Sequence, residues 1–146
     1  MKVMIVEDEG LIALELERIA QDAGHQTLGP VSTIEQALAY APKSDVALVD
    51  LSLSDGFSGA QLARRLIDRY GVDVIFVTGS PENVGNGIEG ALDIIPKPFT
   101  DDRIAGALSR AQALRRDFRW QQCRPLTARV SKRSRRLADN ANLEVV

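Results

Sequence analysis

The chain is poor in the residues that build covalent staples and transition-metal sites. Among 146 residues there is one cysteine, Cys123, one histidine, His25, and one tryptophan, Trp120. A lone cysteine excludes an intramolecular disulfide. Without a Cys/His cluster, a zinc site is not expected. Long hydrophobic runs are also missing. The apolar stretches are strand-sized, far short of the ~20 residues that a membrane-spanning helix requires. Met1-Lys2-Val3-Met4-Ile5-Val6 resembles the start of a signal peptide, but Glu7-Asp8-Glu9 ends it at once. A cytoplasmic location is therefore expected. No internal repeat with a period of ~20–50 residues is present.

What remains is the composition of one soluble domain, 45% apolar and 26% charged. That is enough to bury a sizeable core. The net charge of −2 hides an asymmetry. Residues 1–114 hold 9 basic and 17 acidic residues, a balance of −8, whereas residues 115–146 hold 9 basic and 3 acidic, a balance of +6. Such a division suggests a compact acidic domain followed by a basic extension.

Apolar periodicity sorts the acidic part into elements. Val46-Ala47-Leu48-Val49 runs unbroken into Asp50, flanked by Lys43-Ser44-Asp45 and by the polar stretch Ser52 to Ser58. A short β-branched run of this kind reads as a strand buried on both faces, as in the middle of a parallel sheet. Val3–Val6, Val72–Thr78 and Leu92–Ile95 read the same way. Thr27–Val31 is a weaker strand, and Pro30 suggests a sheet edge. Helical spacing covers the stretch from Leu11 to Gly24, with Leu11, Leu14, Leu16 and Ile19 expected in the core. His25, just past it, is expected at the surface or as a cap. Ser32-Thr33-Ile34-Glu35 matches a capping box for a short helix that ends before Pro42. Ala60 to Tyr70 forms another helix, and Ile104, Leu108, Ala111, Leu114 and Phe118 mark the last. A fourth helix is expected from Glu82 to Gly90, short because Gly85, Gly87 and Gly90 each cost roughly 1 kcal/mol in a helix interior. Strands alternating with helices predict a doubly wound five-stranded parallel sheet, a (βα)5 fold.

In such a sheet, ligands bind beyond the carboxyl ends of the strands. Those ends carry Glu7 and Asp8, Asp50, Thr78 and, just past the fifth strand, Lys97. Three carboxylates together repel one another unless a cation neutralises them. Hard oxygen donors in that number suit Mg²⁺. Lys97 supplies a point charge for a phosphoryl group and Thr78 a hydroxyl donor. A carboxylate nucleophile in this company has what is needed to form an aspartyl phosphate.

Over residues 1–116 the sequence resembles the receiver domain of two-component response regulators. The resemblance rests on the acidic pair in Val6-Glu7-Asp8-Glu9, the strand-end Asp50, Thr78-Gly79 and Lys97-Pro98-Phe99. It implies a flavodoxin-like fold in which Asp50 accepts a phosphoryl group from a histidine kinase or phosphotransfer protein. It further implies that Asp8 binds Mg²⁺ directly, Glu7 mainly through water, and Ser52 through its backbone carbonyl. Thr78 and Lys97 would bind the phosphoryl oxygens, and the Lys97–Pro98 bond would be cis. The chain would then be a signalling switch rather than an enzyme in the ordinary sense. One position departs from the family. Ile94 stands where members often carry an aromatic residue three positions before the lysine, so another route is needed from Asp50 to an output surface. Ordering of the Glu82–Gly90 segment is one such route.

Two other readings fit parts of the sequence. A receiver-like protein-binding module could work without phosphorylation. Gly85-Asn86-Gly87-Ile88-Glu89-Gly90 also matches a dinucleotide fingerprint, but it does not follow a strand directly, so nucleotide binding is not expected. The last helix carries Arg110, Arg115, Arg116 and Arg119 among Phe118 and Trp120. This is expected to be a solvated face with the two aromatics packed on the domain, and a homodimer through the last helices is the next reading. Residues 117–146 read as a loosely ordered basic extension. Its Lys132-Arg133-Ser134-Arg135-Arg136 run shows no helix-turn-helix pattern, so nucleic acid is not the expected partner.

Overall fold

A computed structural model describes residues 1–53, 59–84 and 89–123. The elements in chain order are β1 (Lys2–Val6), α1 (Gly10–Asp22), β2 (Gln26–Val31), α2 (Ile34–Tyr40), β3 (Val46–Val49), α3 (Gly59–Tyr70), β4 (Asp73–Thr78), β5 (Ala91–Pro96) and α4 (Asp101–Cys123). All strand pairs are parallel, in the order β2-β1-β3-β4-β5. This is the doubly wound, flavodoxin-like fold expected from the alternation of elements. β2, with Pro30 exposed, is indeed an edge strand.

The continuous apolar runs are explained by two cores. On one face Met4, Val6, Ala47, Val49, Val74 and Phe76 pack with Ile34, Ala37, Leu62, Ala63 and Leu66 of α2 and α3. On the other, Val3, Ile5, Val46, Leu48, Ile75 and Val77 pack with Ala13, Leu16 and Ile19 of α1 and with Ile104 and Leu108 of α4. Successive strand residues point to opposite faces, so only strands buried on both sides can be apolar at every position.

Several expectations are corrected. Leu11 and Leu14 are exposed rather than in the core. The buried stripe of α1 is Ala13, Leu16, Ile19 and Ala20, and at 3.6 residues per turn both leucines fall on the opposite face. Leu114 and Phe118 are likewise exposed, because the compact unit Met1–Ala111 ends before them and Gln112–Val146 forms a second unit. His25 is buried, not at the surface. Its ring Nδ1 lies 3.3 Å from the Met1 amine, and burial pushes its pKa down. The cap of α2 is Thr33, one residue later than expected. Its hydroxyl accepts from the Gln36 N–H at 3.2 Å, while Gln36 Oε1 accepts from the Ser32 N–H at 3.1 Å.

The largest difference lies between β4 and β5. The expected fourth helix is, in the described residues, a short 3-10 turn, Pro81–Val84. The described residues thus hold four α-helices rather than five. Readings that depend on residues 85–88, on the loop at 54–58, on the Trp120 side chain and on the basic run at 132–136 lie outside what the structure describes.

Ion pairs fasten α4 to the body. Arg18 of α1 donates three hydrogen bonds of 3.1 Å to the carboxylate of Asp101. Arg103 grips Asp93 of β5 with bonds of 2.7 and 2.8 Å, and Arg110 donates to the same carboxylate. The Arg103 hydrogen bonds hold the Asp93 carboxyl below its ordinary range, against the opposing effect of burial.

Two outcomes test this packing. Leu108→Ala, in the core, is expected to cost about 2–5 kcal/mol in a urea melt. Leu114→Ala, further along the same helix, should stay within about 0.5 kcal/mol. Asp93→Asn should lower stability at neutral pH by about 1 kcal/mol or less, since the pair is partly screened by solvent. A carboxylate with a lowered folded pKa stabilises above its unfolded pKa of about 4, and that contribution disappears as pH falls through the folded value. The gap between Asp93→Asn and the parent protein should therefore close in acid. A gap that stays constant with pH would rule out the ionic origin.

Candidate functional site

Each functional side chain sits where a strand ends, on one edge of the sheet. Asp50 directly follows β3, and its N–H donates to the Val6 carbonyl at 3.0 Å, extending the β1–β3 ladder by one bond. Glu7 directly follows β1, and its N–H donates to the Val31 carbonyl at 3.0 Å. Thr78 closes β4, and its carbonyl accepts the Lys97 N–H at 2.8 Å. The backbone therefore fixes Glu7, Asp50, Thr78 and Lys97 before any side chain interacts.

The carboxylates of Glu7, Asp8 and Asp50 offer oxygens that all lie within 4.8 Å of one another. Glu7 and Asp50 are buried and Asp8 is exposed. Lys97 is their counter-charge. Its Nζ donates to Glu7 Oε2 at 2.8 Å and stands 3.8 Å from Asp50 Oδ2. Glu7 Oε1 accepts the Glu9 N–H at 3.1 Å. Burial nevertheless pushes the Glu7 pKa up, aided by the negative charge of Asp50 and opposed by the Lys97 and Glu9 hydrogen bonds. One ammonium among three carboxylates leaves an excess of negative charge. Closely grouped hard oxygen donors with that excess fit a hard divalent cation. The site is thus a cluster of three carboxylates able to hold a metal ion.

The remaining sequence-predicted residues fall around this cluster. Thr78 Oγ1 accepts the Ser80 N–H at 3.0 Å, which orients the buried hydroxyl. Ser52 donates its N–H to Asp50 Oδ1 at a long 3.4 Å. The Lys97–Pro98 peptide is cis, as the resemblance implied. Ile94 is half-buried on β5 and packs against the core shared by α2 and α3.

A strand-end carboxylate cluster of this shape, on this topology, has a known counterpart. The model of the response regulator receiver domain matches residues 3–109. The chain belongs to the response regulator receiver family. The Phyllosphere-induced regulator PhyR of Methylorubrum extorquens is 35% identical over 115 residues, covering 75% of this chain and 43% of that protein. The crystal structure of the response regulator PhyR from Brucella abortus superposes with a TM-score of 0.72 at 30% identity, covering 81% of this chain and 50% of that one. The receiver (REC) domain of Erythrobacter litoralis PhyR, solved by NMR, gives a TM-score of 0.69 at 32% identity, covering 76% of this chain and 88% of that domain. This receiver spans about half the length of the curated relatives it matches.

Sequence reasoning missed Gly59, the first residue of α3. A Cβ there would lie 2.1 Å from the Asp50 carbonyl oxygen and 2.8 Å from Leu51 Cα. The Gly59 N–H donates to the Leu51 carbonyl at 2.7 Å. The start of α3 is thus laid directly on the backbone that carries Asp50. A glycine at a helix start reads in sequence as loop punctuation, and nothing local marks it as a packing residue.

Two variants test this geometry. Gly59→Ala should destabilise by about 1–3 kcal/mol through overpacking and displace Asp50, seen as a large shift of its amide resonance. An unshifted resonance would show that the contact is relieved elsewhere. Lys97→Met removes the hydrogen bond that opposes desolvation, so the Glu7 carboxyl should titrate at still higher pH by ¹³C NMR. An unchanged or lower value would mean that Lys97 does not stabilise the Glu7 anion.

Proposed function

We propose that this receiver is a phosphoryl-accepting switch. Asp50 is the acceptor, and the donor is a histidine kinase or phosphotransfer protein. The observation that carries the reading is the position of Asp50: buried at a strand end, beside two more carboxylates, with Lys97 Nζ 3.8 Å away. In the reaction, an Asp50 carboxylate oxygen attacks the phosphorus of a phosphohistidine. A P–O bond forms as the P–N bond breaks, and the leaving imidazole keeps the electron pair. Lys97 and Thr78 hold the charge on the equatorial oxygens of the phosphoryl group in flight. A Mg²⁺ ion held by Asp8, Asp50 and the Ser52 carbonyl, with Glu7 acting mainly through water, would neutralise the carboxylates and the incoming phosphoryl oxygens when bound.

Lys97 already touches both Glu7 and Asp50, so little reorganisation is needed to receive the phosphoryl group. The half-buried Ile94 replaces the aromatic residue whose rotamer reports phosphorylation in many members of the family. The output then runs through the β4–β5 connection, which begins at the Thr78–Ser80 hydrogen bond. The protein acts as a switch in two-component signalling and is not an ordinary enzyme. Its place is the cytoplasm, where the phosphohistidine donors are. No helix among the described residues is long and apolar enough to cross a membrane.

The test is phosphorylation by acetyl phosphate or a phosphohistidine donor with Mg²⁺, read on a phosphate-affinity gel. The parent protein should form one acid-stable, base-labile acyl phosphate, and Asp50→Asn should form none. Undiminished labelling of Asp50→Asn would overturn the assignment. Asp8→Asn should label more slowly and require more Mg²⁺. A protein that never labels, yet still binds its target, would favour the phosphorylation-independent reading.

A further inference from the structure

β5 is the last strand of the sheet, and among the described residues no further strand lies beyond it. An open edge presents backbone N–H and C=O groups already in strand geometry, a template for pairing with another extended chain. One bond fixes which groups face outward. The Lys97 N–H donates to the Thr78 carbonyl of β4 at 2.8 Å. Along a parallel strand, successive residues turn their backbone groups to opposite sides. Asp93 and Ile95 therefore face β4 with Lys97, and Ile94 and Pro96 face away from it.

Each stretch of this edge is closed in its own way. Pro96 has no N–H to offer. Near the start of β5, Ala91 pairs with Val74 and Asp93 with Ile75, which leaves Leu92 unmatched. Such an irregularity bends the strand and spoils a flat template. Ile94, between the two, has both its N–H and its C=O outward in regular strand geometry, and side chains occupy both. Asp93 Oδ1 accepts the Ile94 N–H at 2.8 Å. Arg103 of α4 donates Nη2 to the Ile94 carbonyl at a longer 3.4 Å. The same Nη2 donates to Asp93 Oδ1 at 2.8 Å, and Nη1 to Asp93 Oδ2 at 2.7 Å. An acceptor and a donor thus stand in front of the Ile94 groups, as the C=O and N–H of a neighbouring strand would. Arg110 also donates to Asp93 Oδ2, but the bond runs to the carboxylate and not to the strand backbone. The edge has something to guard against, because Leu92 beside it is a large apolar side chain, 38% exposed.

We propose that Asp93 and Arg103 form an edge guard. They fill the one regular pairing position on the outer side of β5 and keep it closed to β5 of a second copy. That strand is the competitor always present at the protein's own concentration. Two such edges related by a two-fold axis can set Ile94 against Ile94 in an antiparallel pair. Because Arg103 belongs to α4, the edge is closed only while α4 stays seated on β5. The guard is independent of whether Asp50 accepts a phosphoryl group.

The first experiment is amide hydrogen exchange by NMR on the full chain, with Ile95 as the internal reference because its N–H faces β4. In the parent protein the Ile94 amide should be protected although it faces outward. Asp93→Ala should speed its exchange relative to Ile95 by about tenfold or more, the loss expected for one charge-assisted hydrogen bond. Asp93→Asn keeps an acceptor at Oδ1 and should retain much of the protection. Arg110→Ala removes an ion pair to the same carboxylate and should leave the ratio unchanged. The second experiment is sedimentation velocity over a wide concentration range. Asp93→Ala should associate more strongly than the parent, and adding Leu92→Lys should reverse this by placing a charge on the opened edge. An Ile94 amide that is unprotected in the parent would overturn the proposal. So would an unchanged Ile94-to-Ile95 ratio in Asp93→Ala, or an Asp93→Ala protein that associates no more than the parent.

Discussion

Electrostatic repulsion at one edge of the sheet is the constraint around which this domain is built. Three carboxylates share a space in which their oxygens lie within 4.8 Å, and one ammonium, from Lys97, stands among them. Two of the three are buried, where removal from water makes each negative charge costlier. Glu7 registers this directly, since its pKa is raised by burial in spite of an ion pair at 2.8 Å. A fold arranged for stability would spread such charges over the surface. Their retention at a strand edge is intelligible if the site receives cations and phosphoryl oxygens as part of its work.

The scaffold holds that repulsion by fixing backbone rather than side chains. Asp50, Glu7 and Lys97 each donate a backbone N–H to a neighbouring strand, at 2.8–3.0 Å. Because both faces of the sheet are packed with apolar side chains, the strands cannot shift along one another without exposing a core. Gly59 then brings the start of α3 onto the Asp50 carbonyl, closer than any side chain would allow. The Asp50 carboxylate is therefore held by a rigid frame, although the charges around it favour separation.

The β4–β5 side is built differently. Between β4 and β5 the described residues hold a 3-10 turn in place of a full helix, and Ile94 takes the position of the reporting aromatic residue. β5 is instead tied to α4 by Asp93 and two arginines, and α4 to α1 by Arg18 and Asp101. Both ties run through α4, the helix whose distal half carries the exposed Leu114 and Phe118. Among the described residues, α4 carries ion pairs to both β5 and α1.

Much of this could be read from the residues in order. Unbroken apolar runs, each ended by a polar residue, are sufficient for a parallel sheet with Glu7, Asp8, Asp50, Thr78 and Lys97 on one edge, because alternation of side chains and strand direction are local properties of the chain. The glycines after Pro81 suggested a short helix, and the described residues there hold a 3-10 turn, Pro81–Val84. What only the tertiary structure decided depended on which face of each helix met the sheet. Leu11 and Leu14 have the right composition for a core but the wrong angular position on α1, and Leu114 and Phe118 have the right angle but lie beyond the compact unit. His25 is buried because a helix end and the chain terminus meet over it, and Gly59 matters because a distant strand end passes beneath it. Composition and spacing determine what an element is. Contacts between residues far apart in sequence determine what it touches, and these were fixed only when both cores closed around the sheet.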